Sequence, residues 1–112
     1  MDEISERLVR EYVERHNAGV RTGDYQPLGQ LFASNAALQF EGINLGAFRG
    51  RDAIVEIFRT RGPDDELELT DLRTTPGAAT AELRWKSAGG RAGTAHLEHD
   101  GARITRLRIV VA

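Results

Sequence analysis

The sequence predicts an α+β domain, with helices packed on one face of a mainly antiparallel sheet, and three observations carry that reading. Apolar residues recur at helical spacing from Ile4 to His16. The second half, from Leu67 to Val111, alternates with the period of a strand. The turn pairs Pro76-Gly77, Gly89-Gly90 and Asp100-Gly101 cut that half into four strands. Helices first and a meander after make a two-layer α+β arrangement.

The chain has 112 residues and reads as a single domain, 1–112, large enough to bury roughly two-thirds of its unfolded surface. Hydrophobic residues make up 40% and charged residues 29%, a balance that argues against disorder. A net charge of -2, with the basic residues scattered, gives no bias toward nucleic acid or acidic lipid, and neither is expected as a partner. The lack of cysteine excludes disulfides, thiolate chemistry and cysteine-held metal. The opening Met-Asp-Glu-Ile-Ser-Glu-Arg has no basic or apolar leader, and no later run is long enough to span a membrane. A cytoplasmic protein without membrane attachment is therefore expected.

Between Glu3 and Ala18, the residues Ile4, Leu8, Val9, Tyr12, Val13 and His16 fall three and four apart. They form one face of an amphipathic helix, with Glu6, Arg7, Arg10, Glu14 and Arg15 opposite. Asn17-Ala18-Gly19 is expected to end it, with Gly19 as a left-handed cap. Asp24 can cap a shorter second helix that turns Leu28, Leu31 and Phe32 inward. Ala36 to Glu41 alternates as a first strand, Leu38 and Phe40 inward and Gln39 and Glu41 outward. Gly42, Gly46 and Gly50 punctuate a looser segment around Leu45, Ala47 and Phe48. A third helix follows, burying Ala53, Ile54, Ile57 and Phe58, and Gly62-Pro63 stops it. The meander strands run about Leu67 to Thr74, Ala79 to Ser87, Arg91 to His99 and Arg103 to Val111.

Alternation sorts the faces of that sheet. Ala81, Leu83 and Trp85 share a side, as do Ala95, Leu97 and His99, and likewise Leu107, Ile109 and Val111. The opposite, convex side collects Glu82, Arg84, His96, Glu98, Arg106 and Arg108, spaced for cross-strand ion pairs.

The region from Tyr12 to Ile54 has a recognisable order. A long helix carries Tyr12-Val13, a short one ends in Leu31-Phe32-Ala33, a strand follows, and Gly50-Arg51-Asp52 opens another helix. This order resembles the N-terminal half of the nuclear transport factor 2-like superfamily, which includes the ketosteroid isomerases and the SnoaL-like polyketide cyclases. The likeness extends over nearly the whole chain. It implies a cone-shaped fold, with three N-terminal helices packed on a curved, mainly antiparallel sheet and a small-molecule pocket between the layers. It also implies a homodimer through the convex sheet face, for which a simple solvated face is the alternative.

The run Val9-Arg10-Glu11-Tyr12-Val13 is similar to the place where ketosteroid isomerases keep their oxyanion-hole tyrosine. The resemblance thus implies that Tyr12 donates to a ligand oxygen. A core tyrosine bonded to protein or water is the alternative, since a buried phenol needs a partner in any case. His16 lies one turn on along the same face and could act as a base beside that donor, or be a satisfied boundary residue.

Other isomerase positions differ. Aligning Leu31-Phe32-Ala33-Ser34-Asn35-Ala36 on the family's run puts Phe40 where its general-base Asp stands. Counting back from Asp100-Gly101 puts Ala95 where its second oxyanion donor, a protonated Asp, stands. The isomerase mechanism is not transferred. A one-residue bulge would turn Glu41 inward, and Asp71 interrupts the alternation of Leu67, Leu69 and Leu72, so either it faces the pocket or a bulge sits there; for both, solvent is the alternative. Inward, they would resemble the Asp-Arg-Asp set of the limonene epoxide hydrolases, but no comparable triad can be placed.

His96 and His99 point to opposite sheet faces, so only His16 and His99 could both look inward, too few to hold zinc. The sequence has no phosphate loop, nucleotide fingerprint or nucleophile elbow. No metal and no cofactor are expected.

These residues predict an apolar pocket lined by Leu8, Tyr12, His16, Phe40, Trp85, Ala95, Leu97, His99, Leu107 and Ile109. A ligand site of about 300 Å³ or more would take a flat, hydrophobic small molecule bearing one or two oxygens. By resemblance the protein would be a cofactor-independent acid/base enzyme of isomerase, cyclase or hydrolase type. Tyr12 would be the donor and His16 the base, with Asp71 or Glu41 in reserve. The alternative is a non-catalytic ligand-binding or dimerisation module whose cone is filled by side chains. Small inward residues, Ala36, Ala81 and Ala95, favour open space, while Phe40 and Trp85 favour a filled cone.

Overall fold

The computed structural model describes residues 2–112. Helix α1 (Glu3–Thr22) begins where Asp2 caps it, its Oδ2 accepting from the Ser5 N–H at 2.8 Å. That backbone bond holds the Asp2 carboxyl below the usual carboxylate range. Glu3 and Glu6 in the first turn suit the positive end of the helix dipole. The helix does not stop at Gly19 as expected. It continues to Thr22, and Gly23 supplies the left-handed cap at φ 82°, its N–H bonded to Gly19 O at 2.7 Å. Gly19 serves packing instead: the Tyr25 ring lies against its Cα, where any Cβ would collide.

The second helix shrinks to one turn, α2 (Gln26–Gly29), entered through Asp24, whose Oδ1 accepts from the Gln26 N–H at 3.0 Å. Phe32 is not on that helix but opens β1 (Phe32–Glu41). The cause is tertiary: Ile104 N–H donates to Leu31 O at 2.8 Å and draws the chain into the sheet early. The segment read as loose contains a short strand, β2 (Ala47–Arg49), with Phe48 registered against Leu38. Three residues are too few for alternation to reveal a strand. Helix α3 (Arg51–Arg61) follows and buries Ile54, Val55 and Phe58, and Gly62 N–H closes it on Phe58 O at 3.0 Å. Strands β3 (Leu67–Thr75), β4 (Ala78–Trp85), β5 (Arg91–His99) and β6 (Ile104–Val111) form the expected meander.

The six strands lie in the order β2-β1-β6-β5-β4-β3. All pairings are antiparallel except β1 with β6, which is parallel, so the curved sheet is mixed. Helix α1 packs on β3 and β4, and α3 on β1. The expectation of three N-terminal helices needs correction: α1 is a long N-terminal helix, α2 is a single turn, and α3 comes after β2. Leu8, Phe32, Leu38, Ile54, Ile104 and Leu107 are fully buried between the layers.

The convex face carries ion pairs. Arg106 meets Glu98 at 3.8 Å, Arg108 meets Glu41 at 3.0 Å, and Arg84 meets Glu68 at 3.3 Å. Glu82 takes Arg91 at 3.2 Å and the Thr94 hydroxyl at 2.6 Å. Such exposed pairs each contribute about 0–1 kcal/mol, so they do not hold the fold together. Asp71 belongs to this face too. The β3–β4 pairing slips between Leu69 and Asp71 and sets Asp71 against Glu82, with its side chain 56% exposed and Arg73 at 3.6 Å.

Candidate functional site

Helices and sheet do not fill the space between them evenly. A cavity of about 240 Å³ opens where α1 and α3 finish. Tyr12 and His16 enter from α1, Phe40 from β1, and Ile43 and Leu45 from the loop before β2. Ile57, Phe58 and Arg61 enter from α3, followed by Gly62 and Pro63. The sheet supplies Leu67, Leu83, Trp85, Ala92, Gly93, Ile109 and Val111. The volume falls below the 300 Å³ anticipated, yet exceeds the roughly 150 Å³ of an apolar cavity that takes benzene. It suits one substituted ring or two small ones.

The hollow exists because β5 is almost bare at this end. Leu83 faces Gly93 in regular register, and just beyond that pair the β4–β5 pairing slips, setting Arg84 against Arg91. Gly93 has φ 148°, and Val110 O occupies the place of its missing Cβ, so any larger residue would strain the strand. Ala92 and Gly93 therefore leave room under Trp85 and Phe58.

The polar groups of this wall are few, and their states follow from their bonds. Asn17 clips the first residue of β3: its Oδ1 accepts from Leu67 N–H at 2.7 Å and its Nδ2 donates to Leu67 O at 2.9 Å. With the amide so oriented, Oδ1 can only accept from His16 Nδ1, 3.1 Å away, so Nδ1 carries the proton. Burial pushes the His16 pKa down, opposed by the Asn17 bond, and the ring is neutral at pH 7 with its lone pair on Nε2. Burial also pushes the Tyr12 phenol up, so it stays a protonated donor.

Neither the Tyr12 hydroxyl nor His16 Nε2 has a protein partner among the described residues, and no fully enclosed side-chain nitrogen or oxygen there lacks one. Both atoms must therefore open onto the cavity that their residues line. The two rings tilt toward each other with centroids 6.2 Å apart, and Phe58 meets His16 edge-on at 6.0 Å. The result is a hydrogen-bond donor beside an acceptor in a chamber whose remaining side chains are apolar apart from Arg61. No carboxylate lines it.

Of the residues singled out from sequence, Tyr12, His16, Phe40, Trp85 and Ile109 line this cavity. Leu8, Ala95, Leu97 and Leu107 do not; they are 0% to 4% exposed in solid core toward the other end of the fold. Ala36 and Ala81 are buried in the core and do not line the cavity either. Asp71 and Glu41 lie on the outer face.

His99 turns away from the cavity into a bonded chain. Gly101 N–H donates to its Nδ1 at 3.0 Å, which places the ring proton on Nε2. That N–H donates to Ser5 Oγ at 2.7 Å, and the Ser5 hydroxyl donates to Thr75 O at 2.9 Å. Sequence reasoning missed Arg61, the Ile43–Leu45 loop and the Ala92-Gly93 gap. The run of small residues from Ala88 to Gly93, interrupted only by Arg91, was the available signal for the last.

Among the described residues, no group of three or more His, Cys, Asp or Glu could hold a metal ion, and no helix is long and apolar enough to cross a membrane. No curated protein matches the sequence at a significant level.

Solved structures do resemble it. A ketosteroid isomerase candidate from Kribbella flavida shares 20% identity, with 98% of this chain and 78% of that one covered and a TM-score of 0.73. A protein of unknown function from Mesorhizobium loti, described as NTF2-like, shares 20% over 100% of this chain and 96% of that one, with a TM-score of 0.70. A de novo designed protein with a curved β-sheet shares 17% over 100% and 88%, with a TM-score of 0.68. At these identities the likeness establishes the fold alone, and a fold does not by itself imply an activity. The SnoaL-like domain profile matches residues 13–108, most of the chain including Phe40, His16 and Trp85, and the protein belongs to that family within the NTF2-like superfamily.

Proposed function

We propose that this protein is a small-molecule pocket protein working as a cofactor-independent acid/base enzyme of isomerase, cyclase or hydrolase type. Its substrate is a hydrophobic molecule of one or two rings bearing a carbonyl or hydroxyl. The observation that carries the proposal is the pairing of two unpartnered atoms, the Tyr12 hydroxyl and His16 Nε2, at the wall of an apolar cavity. Tyr12 would donate to a ketone oxygen while Nε2 of the neutral His16 removes an adjacent C–H proton, leaving an enolate held by the Tyr12 hydrogen bond. A four-ring substrate is disfavoured by the volume of about 240 Å³.

The test needs no knowledge of the product. In D2O, the wild type should exchange the α-protons of small aryl ketones faster than buffer does. Tyr12→Phe and His16→Gln should each lower that rate by about 10² or more. Equal exchange by all three proteins would sink the assignment.

A second reading, a non-catalytic binding module, is favoured by the absence of any carboxylate from the cavity wall. Its signature is binding without exchange, seen as a change in fluorescence of Trp85, the sole tryptophan, which stands at the wall. A homodimer through the convex face belongs to the same proposal. The mass in solution tests it.

A further inference from the structure

We infer that the ligand of this cavity is a monocarboxylic acid, held with its apolar body inside and its carboxylate on Arg61 at the mouth. The inference rests on the reading of the cavity as a ligand site and goes beyond it in naming the charge. Of the 15 basic residues, ten pair with a carboxylate, and Arg15, Arg49 and Arg51 hold backbone carbonyls. Arg61 and Arg103 do neither among the described residues. Arg103 lies in the turn before β6, away from the cavity, whereas Arg61 is part of the cavity lining.

The acidic groups that follow Arg61 in the chain are mostly engaged elsewhere. Asp65 accepts from the N–H groups of Glu66, Ser87 and Ala88, and Glu66 pairs with Arg21 at 2.6 Å. Among the described residues the guanidinium is thus the single full charge of the cavity wall, with no carboxylate there to neutralise it.

Geometry sets the length of the ligand. Ile57, Phe58 and Arg61 are spaced to share one face of α3, so Arg61 stands one turn, about 5 Å, beyond Phe58. Phe58 in turn meets His16 at 6.0 Å. An acid group on Arg61 and an oxygen at Tyr12 and His16 would lie on the order of 10 Å apart or less, across an apolar span. A planar carboxylate matches one guanidinium fork. A phosphate dianion would call for a second cationic side chain, and among the described residues Arg61 is the only Lys or Arg of this wall.

The experiment titrates the protein with benzoylbutyrate, phenylbutyrate and octanoate, each against its methyl ester, following Trp85 fluorescence at low salt. The acids should bind about fivefold to tenfold more tightly than their esters, an advantage that fades toward 1 M salt. Arg61→Gln should bring acid affinity down to that of the ester, while Arg103→Gln keeps the wild-type ratio. Esters that bind as well as acids, or an acid preference that survives Arg61→Gln, would overturn the assignment of the anion and leave the cavity reading standing. If neither acids nor esters alter the fluorescence of the wild type, both fall.

Discussion

Two histidines lie against opposite ends of α1, and the protein uses their rings differently. His99, tied to the start of the helix through Ser5, has both ring nitrogens bonded to protein. His16, near the other end, has one nitrogen bonded to Asn17 and the other facing open space. Their surroundings differ in the same sense. The first pairs with the fully buried Ile104 on a strand that carries Leu97 into solid core; the second lines the cavity beside Ala92 and Gly93. A histidine whose two nitrogens are satisfied by its own chain is a strut. One that is oriented by a single bond, with its lone pair left over, is equipped to act on something else. The solid end makes the hollow end possible, because packing there fixes the helix that carries Tyr12 and His16.

The contrast can be broken most forcefully at the solid end. Phe32→Ala should cost about 3–5 kcal/mol in urea denaturation, since the ring is fully buried. Tyr12→Phe, which removes a hydroxyl that no protein group uses, should shift stability by less than about 1 kcal/mol. Similar losses from both would show that the two ends are packed alike.

Ser5→Ala comes next. It strands the His99 Nε2–H and should cost about 1–3 kcal/mol, with His16→Gln as the comparison.

The subtlest effect is in pH. The folded pKa of His16 lies below its unfolded value near 6.5, so below that pH the unfolded chain binds the extra proton first. Stability should be level above about pH 6.5 and decline as pH falls toward 5, before the lowered carboxylates of Asp65, Glu82 and Asp100 begin to titrate. His16→Gln should flatten that decline, and a slope unchanged in the variant would assign it to other groups.

Much of this architecture was legible because it is written locally. The three-and-four spacing of Leu8, Tyr12 and His16 identifies the inner face of α1, and Pro76-Gly77 and Asp100-Gly101 mark real turns. Tyr12, His16, Phe40, Trp85 and Ile109 were readable as inward-facing by the same periodicity. Periodicity gives the face of an element and not the depth along it. Leu97 and Ile109 both point inward, yet one is packed solid and the other borders a void. Which end is hollow depends on what the neighbours fail to fill, here beside Gly93, where the register of β5 against β4 slips. The capping glycine was misread for a similar reason. Gly19 looks like a helix stop until Tyr25, six positions on, folds back over it.

The position of β6 has a consequence for how the chain becomes this structure. It is the last strand in sequence and lies between β1 and β5, the inner seam on which the two parts of the sheet are joined. Its partners in β1 are about seventy residues away along the chain, bridged by the parallel pairing of Leu38 with Leu107 and by the bond from Ile104 to Leu31. During synthesis the β3–β5 meander can form its hairpins as it emerges, but β1 and β2 have no sheet to join until β6 is made. Until then β1 has only the three-residue β2 on one edge, and its other edge stays unpaired. The nascent chain is most exposed to misassociation just before its final strand arrives, and the rate of folding should be governed by that late, long-range closure.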